Sequence, residues 1–199
     1  MNLLRFALPL FCCLHAAAAD YEVTIDGKTH AFTDGVEQTI RTAGGEIRIS
    51  VKVPRLKVCA EDGFTFDYPG DMVLEAEDIE GIRQVTVTAA DSSIIMVQRY
   101  PQKMNDGELR ESLVTGFLAG YRDLGMVIPE KPAAECSRKI GATEVKGRRL
   151  SFEVGKVPHT TDVYVFTHGE RTMAFVFQGA NEDKANTEPR FKAVAESLR

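Results

Sequence analysis

The chain has 199 residues, 44% hydrophobic and 27% charged, an ordinary globular composition that excludes a collagen-like, low-complexity or wholly disordered chain. Twenty-nine acids against 24 bases give a net charge of −5. That balance argues against a dedicated nucleic-acid binder, whose affinity comes from clustered Lys and Arg on phosphates.

Met1 to Ala19 reads as a secretory signal peptide: Arg5 supplies the charge, Phe6 to Leu14 the apolar run, and Ala17 and Ala19 the small-x-small cleavage signal before Asp20. The apolar run has about half of the ~20 residues needed to span a bilayer, so a transmembrane anchor is not expected. Bulky Phe11 ahead of Cys12 and Cys13 argues against lipidation. The expected mature chain of 180 residues is periplasmic or secreted, and long enough for one well-packed core. Its two cysteines, Cys59 and Cys136, are expected to form one disulfide in an oxidising compartment. Closing that 77-residue loop would stabilise by up to ~4.5 kcal/mol on the chain-entropy account.

Residues 20–55 read as an N-terminal β segment. Tyr21, Val23 and Ile25 alternate with polar residues, and Asp26-Gly27 suits a type I′ turn, which sets Val23 opposite His30 and Tyr21 opposite Phe32. A second hairpin joins Val36 to Arg41 with Glu46 to Val53 across Ala43-Gly44-Gly45, and Pro54 ends it. Phe64 to Pro69 is a short aromatic strand. Val85 to Thr88 and Ile94 to Val97 follow, the second apolar throughout, as for a strand covered on both faces.

Asn105 and Glu108 resemble a capping box, and Gly125 suits the residue past the helix end. Between them Leu109, Leu113, Phe117 and Tyr121, flanked by Val114 and Leu118, predict a helix lying on a sheet. Glu144 to Val154 reads as a hairpin turning at Lys146-Gly147. Thr160 to Thr167 and Thr172 to Gln178 read as another around His168-Gly169-Glu170, with Met173, Phe175 and Phe177 on one face and Ala174 and Val176 on the other. Pro189 is expected in the first turn of a last helix carrying Phe191, Val194, Ala195 and Leu198. Antiparallel meanders broken by two amphipathic helices indicate an α+β domain over residues 56–199.

The order of these elements, with the Phe-x-x-x-x-Pro strand of Phe64 to Pro69, the mid-chain helix, the meander and the closing helix, resembles the PsbP-like α/β/α sandwich. Met72 stands where many members carry Trp soon after the Pro-Gly. The resemblance implies a non-enzymatic accessory or binding role, and carries over no functional residue.

No catalytic signature is present: no G-x-S-x-G, no phosphate-binding glycine loop and no H-E-x-x-H. No catalytic residue, metal ligand or cofactor is therefore assigned. His159 and His168 flank one strand, ~30 Å apart if it is straight, so they cannot share a metal. His159 and Asp162 are close enough in sequence to pair. From Glu61 to Glu80 there are eight acids and no base; from Lys131 to Lys156 there are seven bases and three acids. Asp67 and Asp71 in the first run, with His159, Asp162 and His168, are the candidate ligand or partner contacts. The reading is an exported accessory protein whose partner is an unknown envelope component. A hydrolase with an unrecognised site, or a metal or small-ligand carrier, is the alternative.

Overall fold

Strand-forming alternation dominates the chain, and the computed structural model, which describes residues 21–32, 36–51 and 55–199, turns it into thirteen strands and two helices. The expected signal peptide lies outside the described residues, as do Val53 and Pro54. Strands β1 (Tyr21–Ile25) and β2 (Lys28–Phe32) pair in the expected register, Val23 opposite His30 and Tyr21 opposite Phe32. Asp26 and Gly27 both take positive φ, 49° and 73°, as a type I′ turn demands. Strands β3 (Glu37–Thr42) and β4 (Gly45–Ser50) turn at Ala43-Gly44, one residue shorter than expected, and the Ala43 amide donates to Asp26 Oδ2 at 3.1 Å.

Strands β5 (Leu56–Glu61) and β6 (Phe64–Pro69) form a third hairpin. The remaining strands are β7 (Val73–Ile79), β8 (Ile82–Thr88), β9 (Ile94–Arg99), β10 (Ala133–Ile140), β11 (Thr143–Val154), β12 (Val157–His168) and β13 (Arg171–Ala180). They make one antiparallel seven-stranded sheet in the order β10-β11-β12-β13-β9-β8-β7. Helix α1 (Asp106–Asp123) joins its two meanders, and α2 (Lys184–Glu196) follows the last strand.

The two faces of β13 separate as expected. Met173, Phe175 and Phe177 join one core with Phe66, Val85, Val97 and the α2 residues Phe191 and Val194. Ala174 and Val176 join the other with Leu150, Phe152 and the α1 residues Leu109, Leu113, Phe117 and Tyr121. One helix therefore covers each face, giving the α+β, three-layer α/β/α arrangement. Each fully buried Phe stabilises it by about 1.5–3 kcal/mol. Asn105 caps α1 by accepting from the Gly107 and Glu108 amides at 3.0 and 3.2 Å.

Two expectations are corrected. Lys146-Gly147 is not a turn, because β11 runs unbroken through it. A Cβ at Gly147 would lie 2.5 Å from the Tyr164 ring, so the glycine answers a close approach across the sheet. Pro189 is not in the first turn: α2 begins at Lys184 and holds Pro189 inside it. Burial of Thr187, Phe191, Val194 and Ala195 outweighs the backbone hydrogen bond that a proline removes.

Candidate functional site

Strand alternation sets a polar cluster on the α2 side of β10, β11 and β12. The pairing places Arg149 opposite Asp162, Gly147 opposite Tyr164, and Cys136 opposite Gly147. Arg149 grips the buried Asp162 carboxylate with two bonds of 2.6 Å. Arg138 Nη2 lies 3.9 Å from the same carboxylate, and the Arg138 guanidinium binds Glu188 of α2 at 2.8 and 3.0 Å. Two guanidiniums thus offset the desolvation of one buried acid. The Tyr164 hydroxyl donates to Asp162 at 3.2 Å and accepts from the Cys136 thiol at 3.5 Å. Burial, then the Asp162 charge, push Tyr164 far above the usual phenol range.

Cys59 and Cys136 are free thiols in the structure, in place of the expected bridge. They serve different surroundings: Cys59 lies on β5 opposite Phe66 in the core, and Cys136 on β10 against Tyr164. Burial, then Glu61, push the Cys59 thiol up to about 11. Burial raises Cys136 too. Both are protonated at neutral pH and poor nucleophiles.

The other candidates scatter. His159 keeps Nδ1 2.9 Å from the Val157 carbonyl of its own strand and stacks on Phe152. It does not meet Asp162, because residues three apart on a strand face opposite sides. His168 ends β12, far from His159. Asp67 accepts from Arg199 at 3.0 Å, and Asp71 from Arg190 at 2.7 Å. Arg190 also binds Asp91. Burial opposes the Asp91 charge, but the Ser93 hydroxyl and amide, with Arg190, hold its pKa below the ordinary value. Among the described residues no group of three or more His, Cys, Asp or Glu is placed to hold a metal.

A shallow depression of about 350 Å³ opens over β10 and β11 beside α1. Glu135, Ser137, Lys146 and Arg148 line it from the strands and Arg110 from the helix, with Cys136 and Gly147 beneath. Arg148 donates to Glu111 at 3.0 Å and lies 4.0 Å from Glu135. The Arg148 hydrogen bond holds Glu111 below the usual carboxylate range. Arg110 donates to the Lys146 carbonyl at 3.3 Å, while its buried Nε lies 3.5 Å from the Glu111 carboxylate in an ion pair. Three cations face one solvent-exposed rim and two carboxylates, an arrangement suited to an anionic group. Neither histidine lines it. Lys146 and Arg148 belong to the basic run from Lys131 to Lys156 seen in the sequence. Arg110 and Ser137 were not visible there, since nothing along the chain links a helix start to a strand 27 residues away.

No protein-family model matches the chain, and a search of curated proteins finds no match. Among solved structures, the fold is similar to a protein from Bacteroides thetaiotaomicron VPI-5482 at TM-score 0.48 and 15% identity, over 73% of this chain and 48% of that one. This chain thus spans about half the length of that protein. It is similar to cyanobacterial PsbP (CyanoP) from Synechocystis sp. PCC 6803 at TM-score 0.48 and 15% identity, over 75% of this chain and 94% of that one. A third likeness is to LpqN, involved in cell envelope biogenesis of Mycobacterium tuberculosis, at TM-score 0.37 and 8% identity, over 65% and 84%. At these scores no residue, activity or partner passes from those proteins to this chain. Among the described residues no helix is long and apolar enough to cross a membrane.

Proposed function

We propose that the chain is an exported, periplasmic, non-catalytic accessory protein that binds an envelope partner through the depression over β10 and β11. In this reading residues 1–19 are a signal peptide, 20–55 an added N-terminal β segment and 56–199 the binding domain. The carrying observation is the convergence of Arg110, Lys146 and Arg148 on one shallow rim, where guanidinium and ammonium groups suit a carboxylate or phosphate of the partner. The titratable groups behind the rim support binding over turnover: the Cys136 thiol is protonated and Asp162 is committed to two arginines.

The test is retention of envelope proteins and anionic glycans or lipids on immobilised full chain, against K146E/R148E. The proposal expects one component held by the native protein and lost at least tenfold by the variant. Equal retention, or turnover of ester, peptide or phosphate substrates by the pure protein, would overturn it.

A further inference from the structure

We propose that β7 is a docking edge for an extended, Lys- or Arg-bearing segment of a partner protein, which adds to the sheet as an eighth strand. This rests on the binding role above and gives it a second, separate surface. Among the described residues β7 pairs with β8 alone and ends the sheet. The outer backbone groups of such a strand form a ready template for another chain. Leu74 packs half-buried against the α2-side core, while the rest of β7 is open: Glu75, Ala76, Glu77 and Asp78 are exposed, and Val73 and Ile79 keep 65% and 40% of their surface in water. The opposite edge, β10, is partly closed by α2 through Arg138 and Glu188.

The edge is also held in place. Glu77 accepts from Gln84 at 2.9 Å, Gln84 from Gln98 at 2.7 Å, and Gln98 from the Tyr100 hydroxyl at 3.1 Å. A fixed template spares a docking segment the entropy of ordering both sides.

Charge selects the occupant. Val73, Glu75, Glu77 and Ile79 share one face, since side chains alternate. A second copy pairing antiparallel about Ala76 would set Glu75 directly against Glu77 on both sides, which is destabilising. A foreign strand with the pattern apolar-x-cation-x-cation-x-apolar instead meets Val73 and Ile79 with its apolar ends and the two glutamates with its cations. The acids that block self-pairing are the ones such a segment complements.

The probe is a capped peptide, Thr-Val-Thr-Lys-Thr-Lys-Thr-Val-Thr, titrated into the full chain. Amide hydrogen exchange on β7 is expected to slow at least tenfold at saturation. E75K/E77K is expected to weaken binding at least tenfold. Should that variant lose its fold, E75Q/E77Q is expected to weaken it at least threefold. The proposal is overturned by absence of slowing on β7, by slowing confined to β10, by equal binding of the mirror-image D-peptide, or by self-association through β7. K146E/R148E must leave peptide binding intact. Loss of envelope retention in that variant with β7 protection preserved separates the two surfaces, whereas failure at β7 alone leaves the β10–β11 reading standing.

Discussion

Replacing Gly147 by Ala distinguishes a turn glycine from one that makes room. Gly147 lies within β11 and does not take positive φ, so its backbone accepts an alanine. In an open strand position that change would stabilise by about 0.5–1 kcal/mol, because glycine loses more entropy on folding. Here the added Cβ would sit 2.5 and 2.7 Å from Tyr164 Cδ1 and Cε1, and 2.7 Å from the Val163 carbonyl oxygen. Carbon atoms prefer about 3.5–4.0 Å. The Tyr164 ring is fully buried and its hydroxyl is tied to Asp162 and Cys136, so it has nowhere to swing. The Val163 carbonyl belongs to backbone paired with β11. Overpacking of this kind costs about 1–3 kcal/mol, and a blocked ring plus a blocked carbonyl place G147A at about 2–3. For a chain of this size that lowers Tm by about 4–12 °C. Urea unfolding at constant m-value measures it. In the double variant G147A/Y164A the losses should sum to less than the two singles, since removing the ring removes most of the clash. A G147A protein as stable as the parent, or more stable, refutes the reasoning.

Asp162→Ala leaves Arg138 and Arg149 facing each other without their buried counter-charge, and should destabilise by about 3–5 kcal/mol in urea unfolding; a loss below about 1 would mean the cluster is solvated. Asn105→Ala removes the acceptor for two amides at the start of α1 and should cost about 1 kcal/mol, read as a shift in the urea midpoint. The Cys59 thiol, pushed up to about 11, gives stability that is complete below the ordinary thiol range. As pH rises from about 9 to 11 the unfolded chain ionises there and the folded one does not. Stability should therefore fall, by at most about 1.4 kcal/mol per pH unit. C59A should make that decline shallower, the remainder coming from the raised Cys136 thiol and, above about pH 10, from the buried phenols of Tyr100, Tyr121 and Tyr164; an unchanged slope in C59A would remove Cys59 as a cause.

Periodicity made the covered elements legible. The stripe from Leu109 to Tyr121, the Asp26-Gly27 turn and the alternation of β13 each bury one pattern against one surface, so sequence and structure agree. The exposed strands escaped notice because little marks them: β7 carries Glu75, Ala76, Glu77 and Asp78 in succession, and Leu74 is its one half-buried side chain. Gly147 was misread because glycine serves both turns and close contacts, and only the position of Tyr164 decides which. Asp162 looked available to His159 in sequence, yet a separation of three on a strand turns the two apart. The depression was half legible: Lys146 and Arg148 share a face of one strand, but Arg110 reaches them only through the packing of α1.

The charge runs resolve in space. Of the eight acids from Glu61 to Glu80, Glu61 and Asp78 bind Arg83, Asp62 binds Arg99 and Arg171, Asp67 binds Arg199, and Asp71 binds Arg190. The remaining three, Glu75, Glu77 and Glu80, lie on or beside β7. Of the basic run, Arg138, Arg148 and Arg149 take Glu188, Glu111 and Asp162, whereas Lys146, on the rim at the other end of the sheet, forms no ion pair among the described residues. Six strand spacings of about 4.8 Å put the two edges roughly 29 Å apart. The screening length in physiological salt is about 8 Å, so neither edge senses the charge of the other. An anionic partner at β10–β11 and a cationic strand at β7 would therefore bind without competition. Salt should weaken each, and saturating one should leave the affinity of the other unchanged.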